Sequence, residues 1–207
     1  MSSIALDPGI GGQCIGSAAL EVADLVVSTT PAAVSRAIRW VTGSAVSHAM
    51  LYVGRGNVIE AISQGVVLRP LSTALNGAAL AVAYRRRAMT PATAQRVVGH
   101  ARAFVGRRYN YAGAVVAGKV SVGQRICLRR DATVRGICLV SIRAGMLAVQ
   151  QRRGRRTDRF FCSELVLESF RLAGVPIATV SSSFATPDGI PLAFSNGILS
   201  YVGHLRS

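Results

Sequence analysis

The sequence predicts an α+β fold in which an antiparallel sheet packs against a helix that begins at a cysteine. Several β-prone runs are joined by Gly-containing turns between residues 46 and 85. Further along, apolar residues recur with helical spacing from Phe161 to Leu172, and Gly174 with Pro176 supplies a stop signal. We therefore expect a helix of about three turns with Cys162 in its first turn.

The length and composition of the chain predict one domain. A chain of 207 residues is long enough for one well-buried core. Residues 1–21, rich in Gly, Ser and Ala, are predicted to form a flexible N-terminal arm, and residues 22–207 a single domain. Within it, residues 113–156 alternate apolar runs with arginines and are interpreted as a basic-apolar insertion. This insertion is either amphipathic, facing a membrane or acting as a lid, or a core helix with a solvated basic face.

The net charge restricts the class of partner. A formal charge of +15 favours a polyanion, which leaves nucleic acid, an anionic membrane or an anionic cell-wall polymer. Hydrophobic residues make up 50% of the chain and aromatic residues only 6%, without the interleaving of basic and aromatic residues that stacks bases. We therefore expect cell-wall polymer or membrane lipid as the substrate, and no nucleic acid.

The cysteines and histidines do not predict a metal site or a cofactor. Cys14, Cys127, Cys138 and Cys162 contain no C-x-x-C pair, and the three histidines are far apart in sequence. The cysteine density is below that of disulfide-rich secreted scaffolds, which favours a reducing compartment. We found no pattern typical of a signal peptide and no run of 18 uncharged apolar residues. Synthesis in the cytoplasm is expected, with any export by a specialised secretion system.

The other elements are predicted from the period of two residues in strands and from the helical period. Strands with period two alternate their side chains between faces, whereas a proline at the first helical position is typical of helix starts. The predicted elements are a strand at 24–28, a helix at 31–40, a hairpin at 47–54 and 58–62, strands at 65–70 and 79–85, a helix at 91–104 and a last strand at 198–205.

The predicted hairpin brings a histidine and an acid together. Period two places His48 and Tyr52 on one face of its first strand, and Val58, Glu60 and Ile62 on one face of its second strand. Because the two strands of a hairpin pair with each other, His48 and Glu60 can approach across it. At a helix start, unpaired N–H groups and the helix dipole stabilise a thiolate at Cys162. Each residue alone also fits a structural role, Cys162 as a buried hydrophobe and His48 at a strand edge. Together they supply the nucleophile, base and orienting acid of cysteine hydrolysis.

Five short motifs, in their order along the chain, carry a family resemblance. They lie at residues 23–27, 47–54, 58–61, 109–111 and 161–166. Together they resemble the permuted NlpC/P60 (YiiX/YaeF-like) papain-fold cysteine hydrolases over residues 22–177. Ordinary papain-like enzymes place the cysteine helix before the histidine strand, whereas here the histidine comes first. Ala23 departs from the pattern, because a glycine usually precedes the aspartate.

The resemblance implies a role for each matching residue. Cys162 would be the nucleophile, His48 the general base and Glu60 the orienting acid. Tyr52 and Tyr109 would line the pocket. The predicted substrate-binding set is completed by Asp24, whose surroundings are a candidate source of a second oxyanion donor, and by Ser163.

Three functions remain open at this stage. The first is a thiol amidase or endopeptidase that cuts peptide in the cell wall (peptidoglycan). The second is a lipid acyl hydrolase or acyltransferase, phospholipase-like, at an anionic membrane. The third is a non-catalytic basic binding module. Because some similar domains are delivered as antibacterial effectors, a secretion-system carrier and an immunity protein are further expected partners.

Overall fold

Two sheets and five α-helices make up the part of the chain that the computed structural model describes, namely residues 9, 11–29, 46–128, 130–153, 158–177 and 196–206. The strands are β1 (Cys14–Ile15), β2 (Leu25–Thr29), β3 (His48–Gly54), β4 (Asn57–Ile62), β5 (Gly65–Pro70), β6 (Leu80–Arg86), β7 (Arg108–Tyr109), β8 (Arg159–Phe160) and β9 (Leu199–Leu205). The helices are α1 (Leu71–Ala74), α2 (Pro91–Ala103), α3 (Tyr111–Leu128), α4 (Ala132–Arg153) and α5 (Cys162–Leu172). The helix predicted at 31–40 lies outside the described residues.

The larger sheet has seven strands in the order β1-β9-β6-β2-β3-β4-β5. All neighbours are antiparallel except β1 and β9, which run parallel. The predicted α+β fold, the hairpin and the strands that follow it are confirmed. The last predicted strand of that region, β6, pairs with β2 and not with β5, so that Val27 lies between Ala49 and Val82.

The described part of the predicted N-terminal arm, residues 1–21, lies against the sheet. Cys14 and Ile15 pair with His204 and Leu205 of β9, and residues 17–19 form a 3₁₀ turn. Ile15 and Leu20 are buried, and this burial holds the segment against the sheet. A strand of two residues is too short to show a period, which explains why the pattern was missed.

Both faces of the central strands are covered. Helices α2 and α5 pack on one face, where Leu51, Val97 and Phe170 belong to the main core. On the opposite face a second core contains Met50 and Leu71. Because neither face meets solvent, β2 is buried along its whole length.

The predicted insertion is a helical hairpin formed by α3 and α4. The two helices pack against each other, and a Cβ at Gly123 would lie only 3.1 Å from Cδ1 of Ile142, so glycine permits their close approach. Neither these nor the other described helices are long and apolar enough to cross a membrane.

A disulfide joins Cys127 at the end of α3 to Cys138 in α4. No spacing motif indicates this bond, because the packing of α3 against α4 brings the two thiols together. The reducing compartment stays a prediction. Cys14 and Cys162 remain as free thiols.

Candidate active site

The cysteine lies at the first position of α5, as the sequence predicted. Phe161 precedes it in an extended conformation, with φ of −101° and ψ of 170°. The Phe161 N–H donates to the Glu164 carboxylate across 3.3 Å, which caps the helix start. The next N–H groups of the first turn have no partner within the helix, so the positive end of the helix dipole lies at Cys162.

The Cys162 thiol is hydrogen-bonded to the His48 ring. Helix α5 packs against β3 and β4, and His48 is the first residue of β3. The sulfur also accepts hydrogen bonds from the backbone N–H groups of Ala49 and Ser163. Burial alone would raise the pKa of Cys162, but His48 and these two N–H groups outweigh it, and the pKa is lowered. The site therefore favours a thiolate.

A second hydrogen bond holds the histidine from the other side. Nε2 of His48 is bonded to Oε2 of Glu60, which leaves Nδ1 for the Cys162 sulfur. Burial would lower the pKa of His48, but the hydrogen bonds and charges of Cys162 and Glu60 raise it to about 10. Between the lowered pKa of Cys162 and this value, the pair exists as thiolate and imidazolium.

Arg69 binds the carboxylate of Glu60. Its Nε donates to Oε1 of Glu60, whose side chain is fully buried. Burial would raise the pKa of Glu60, but His48 and then Arg69 outweigh it and lower the pKa. The carboxylate is thus ionised and can orient the imidazolium of His48.

The short parallel pair β7 and β8 places two further side chains beside the cysteine. Tyr109 pairs with Phe160, and its pKa is raised by burial and then by the nearby charge of Cys162. The Asn110 amide donates to Glu164 across 3.0 Å, which ties this segment to the start of α5. Tyr109 therefore faces the site as a neutral phenol.

The other predicted pocket residues differ in their surroundings. Ser163 is fully buried and contributes its N–H to the sulfur. Tyr52 belongs to the second core, and its hydroxyl accepts the Gly56 N–H at 3.0 Å. The chain thus brings Ser163 to the nucleophile, whereas Tyr52 supports the turn between β3 and β4.

Asp24 does not lie in the pocket where it was predicted. Its two carboxylate oxygens each accept a hydrogen bond of 2.8 Å from Arg85, and one also accepts the Glu21 N–H. Asp24 immediately precedes β2 and lies four residues, or about 13 Å of extended chain, before Ser28, the strand partner of His48. The buried carboxylate of Asp24 therefore has a structural partner in Arg85, whereas an oxyanion donor from its surroundings stays a prediction.

Sequence reasoning missed three contributors to the site. Arg69 was detectable in principle, because period two and the β4–β5 pairing place it on the same face as Glu60. Asn110 had no such signal, since its partner Glu164 is distant in sequence. The Ala49 N–H is a backbone group, so the type of residue at this position does not indicate its role.

Comparison with known proteins supports the predicted family. Residues 19–115 match the model of a family described as "Permuted papain-like amidase enzyme, YaeF/YiiX, C92 family". The chain is also 28% identical over 197 residues to "Probable lipoprotein peptidase YaeF" of Escherichia coli K12, with 90% of this chain and 71% of that protein covered. Both matches support the predicted family. Permuted papain-like enzymes of this family are amidases, so hydrolase is the class of activity that the comparisons support.

A solved structure supports the permuted papain-like fold. The structure, described as that of "metalloprotein yiiX from Escherichia coli O157:H7", matches with a TM-score of 0.51 at 16% identity and covers 90% of this chain and 88% of that one. In the described part of our chain, no group of three His, Cys, Asp or Glu side chains is arranged to hold a metal ion. Because these donors do not fit a metal centre, no chemical step below is assigned to one.

Proposed function

We propose that the protein hydrolyses amide bonds through a covalent thioester on Cys162. The observation that carries this proposal is the chain of hydrogen bonds from Cys162 to His48, Glu60 and Arg69. It combines a nucleophile of lowered pKa with a protonated histidine and a buried acid. Cysteine hydrolases need these three groups in this connection.

In the first half of the proposed reaction, the Cys162 thiolate attacks the carbonyl carbon of the substrate. The carbonyl π electrons move to the oxygen, and an S–C bond forms. The His48 imidazolium then donates its proton to the leaving nitrogen as the C–N bond breaks. The amine departs, and the acyl group stays on Cys162 as a thioester.

In the second half, neutral His48 accepts a proton from a water molecule while the water oxygen attacks the thioester. The S–C bond breaks, the carboxylic acid is released, and the thiolate and imidazolium pair is restored. Glu60 stabilises the imidazolium in both halves and keeps Nδ1 directed at the reacting atoms.

Two donors are proposed for the negative oxygen of the intermediate. The Cys162 backbone N–H lies in the first turn of α5, where N–H groups lack a partner within the helix. Tyr109, whose raised pKa keeps its hydroxyl protonated, is the second. A neutral phenol donates a hydrogen bond to an oxyanion without adding a competing negative charge.

Peptide in the cell wall is the proposed substrate. The net charge of +15 suits an anionic polymer, and YaeF, the relative described above, carries the name of a peptidase. A lipid acyl ester at an anionic membrane is the second candidate, because the α3–α4 hairpin exposes apolar and cationic side chains together. Both substrates would pass through the same thioester.

Product analysis by mass spectrometry tests this proposal. The wild-type protein and Cys162→Ala are incubated with purified peptidoglycan and, separately, with anionic phospholipid vesicles. We expect new peptide fragments that require Cys162. Released fatty acid or lysolipid would instead establish the lipid candidate, and no Cys162-dependent product from either substrate would count against both.

A further inference from the structure

Helix α3 exposes an apolar stripe along its whole length. At 100° per residue, Tyr111, Val115, Val122 and Ile126 fall within an arc of about 80°, and Lys119 lies in the same arc. Tyr111, Val115 and Ile126 are 60%, 59% and 52% exposed, so the stripe is not covered by the body of the protein. The side that faces α4 is different and includes Gly123 and Cys127.

Helix α4 carries a matching stripe. Val134, Ile137, Val140 and Ala144 lie within an arc of about 120°, and all four are exposed. Ile137 and Val140 are 67% and 66% exposed. The contacts with α3 are made from another arc of the helix, which contains Cys138 and Ile142. Helix α4 is therefore apolar towards its partner and apolar towards solvent.

The two stripes lie on the same side of the hairpin. On α3 the stripe precedes the contact arc by about 110° of helical rotation, and on α4 by about 120°. Because the helices run in opposite directions, these two rotations have opposite sense when viewed along one axis. Both stripes therefore point the same way and form one continuous surface, which we call the hairpin face.

Charge indicates what covers the hairpin face. Residues 111–153 contain eight lysines and arginines but one acid, Asp131. Among the described side chains, Lys119 lies within the face, and Arg130 is exposed in the turn at the tip of the hairpin. A second copy of this cationic surface would be repelled, and a nucleic acid would leave the apolar side chains uncovered. An apolar surface bordered by cations fits an anionic lipid bilayer.

The base of the hairpin adjoins the candidate active site. Tyr111, the first residue of the face, packs edge-on against Tyr109 at a ring distance of 4.7 Å, and Tyr109 lies beside Cys162. The other leg returns to β8, which immediately precedes α5. A surface bound along this face would therefore lie next to the entrance of the site.

We propose that the hairpin face binds the surface of an anionic lipid bilayer, lying in the headgroup layer without crossing it. Apolar side chains of both helices enter the boundary between headgroups and acyl chains, and the cations contact lipid phosphates. The inference is independent of the proposed reaction, since it concerns attachment and not chemistry. It restricts the substrate to molecules within reach of a membrane surface.

Vesicle sedimentation tests the hairpin face. The full chain is mixed with phosphatidylglycerol-rich vesicles or with pure phosphatidylcholine vesicles, at low salt and at about 1 M salt, where the Debye length is ~3 Å. The test variant is Val115→Ser/Ile137→Ser/Val140→Ser. The matched control, Leu68→Ser/Val105→Ser/Leu172→Ser, removes three exposed apolar side chains elsewhere, which are 44%, 43% and 40% exposed.

We expect the wild-type protein to bind the anionic vesicles, and this binding should partly survive high salt. The hairpin variant should lose affinity by at least about tenfold. The control variant and Cys162→Ala should bind like the wild type, whether or not the protein is a hydrolase. Absence of vesicle binding, equal binding by the hairpin variant, or complete release by salt would overturn the inference. Self-association of the wild-type protein that is lost in the hairpin variant would also overturn the inference.

Hydrogen exchange of the wild-type protein provides a second measurement that does not depend on how the variants fold. Vesicles should protect amides in residues 111–144 more than those in α2 or β6. Protection elsewhere, with none in the hairpin, would contradict the inference.

Discussion

Replacing Cys162 with alanine is expected to lower kcat/KM by roughly 10⁴-fold or more, because no other group at the site can form the thioester. Cys162 is 7% exposed, and alanine removes little more than the sulfur. The free energy of unfolding should change far less than the activity. Initial rates on the substrate identified by product analysis give the ratio directly.

Cys14→Ala is the matched control for that variant. Cys14 is the other free thiol, and it lies in β1, the edge strand that pairs with β9. Its replacement should leave kcat/KM unchanged. Activity in Cys162→Ala comparable to that of the wild type would remove Cys162 from the reaction.

Glu60→Ala is expected to impair both activity and stability. The substitution leaves the donors of His48 and Arg69 without their carboxylate acceptor. Because Glu60 is fully buried and its partners are partly exposed, we expect a loss of roughly 2–3 kcal/mol in the free energy of unfolding. Without the acid, His48 loses its fixed orientation, and kcat should fall by roughly 10²-fold or more.

Glu21→Ala is the matched control for Glu60→Ala, because it also removes an acid that pairs with an arginine. The Glu21 side chain is 69% exposed, and its partner Arg85 keeps its two hydrogen bonds to Asp24. We expect a change below about 1 kcal/mol in the free energy of unfolding and none in activity. Chemical denaturation and initial rates measure both quantities. If Glu60→Ala behaved like Glu21→Ala, Glu60 would not orient the base.

Local patterns in the sequence predict the elements that carry His48, Glu60 and Cys162. A Gly-containing turn between two β-prone runs determines the hairpin register within a residue or two, and that register brings His48 close to Glu60. The helical period from Phe161 placed Cys162 at a helix start. The contact between them depends on packing of α5 on the sheet, which the order of motifs suggested only through family resemblance.

The features that were missed depend on contacts between distant parts of the chain. Arg85 binds Asp24 from 61 residues away, so the carboxylate that motif matching placed in the pocket is instead held within the sheet. The disulfide joins two helices whose packing the sequence does not reveal. The sequence indicates an apolar and basic insertion at the hairpin. That the exposed apolar residues of α3 and α4 form one face follows only from the opposite directions of the two helices.

The central claim is that His48 holds Cys162 as a thiolate, and the most direct measurement is the rate of Cys162 alkylation by iodoacetamide as a function of pH. In a Cys14→Ala background, the protein retains Cys162 as its free thiol among the described cysteines. The lowered pKa of Cys162 predicts rapid alkylation already below pH ~8.5, the ordinary pKa of a free cysteine. A second change is expected near pH 10, where His48 loses its proton and the ion pair is lost. In His48→Ala the midpoint should rise, because burial then acts without the imidazolium. A midpoint at or above the ordinary value in the wild type, unchanged in His48→Ala, would contradict the proposed ion pair.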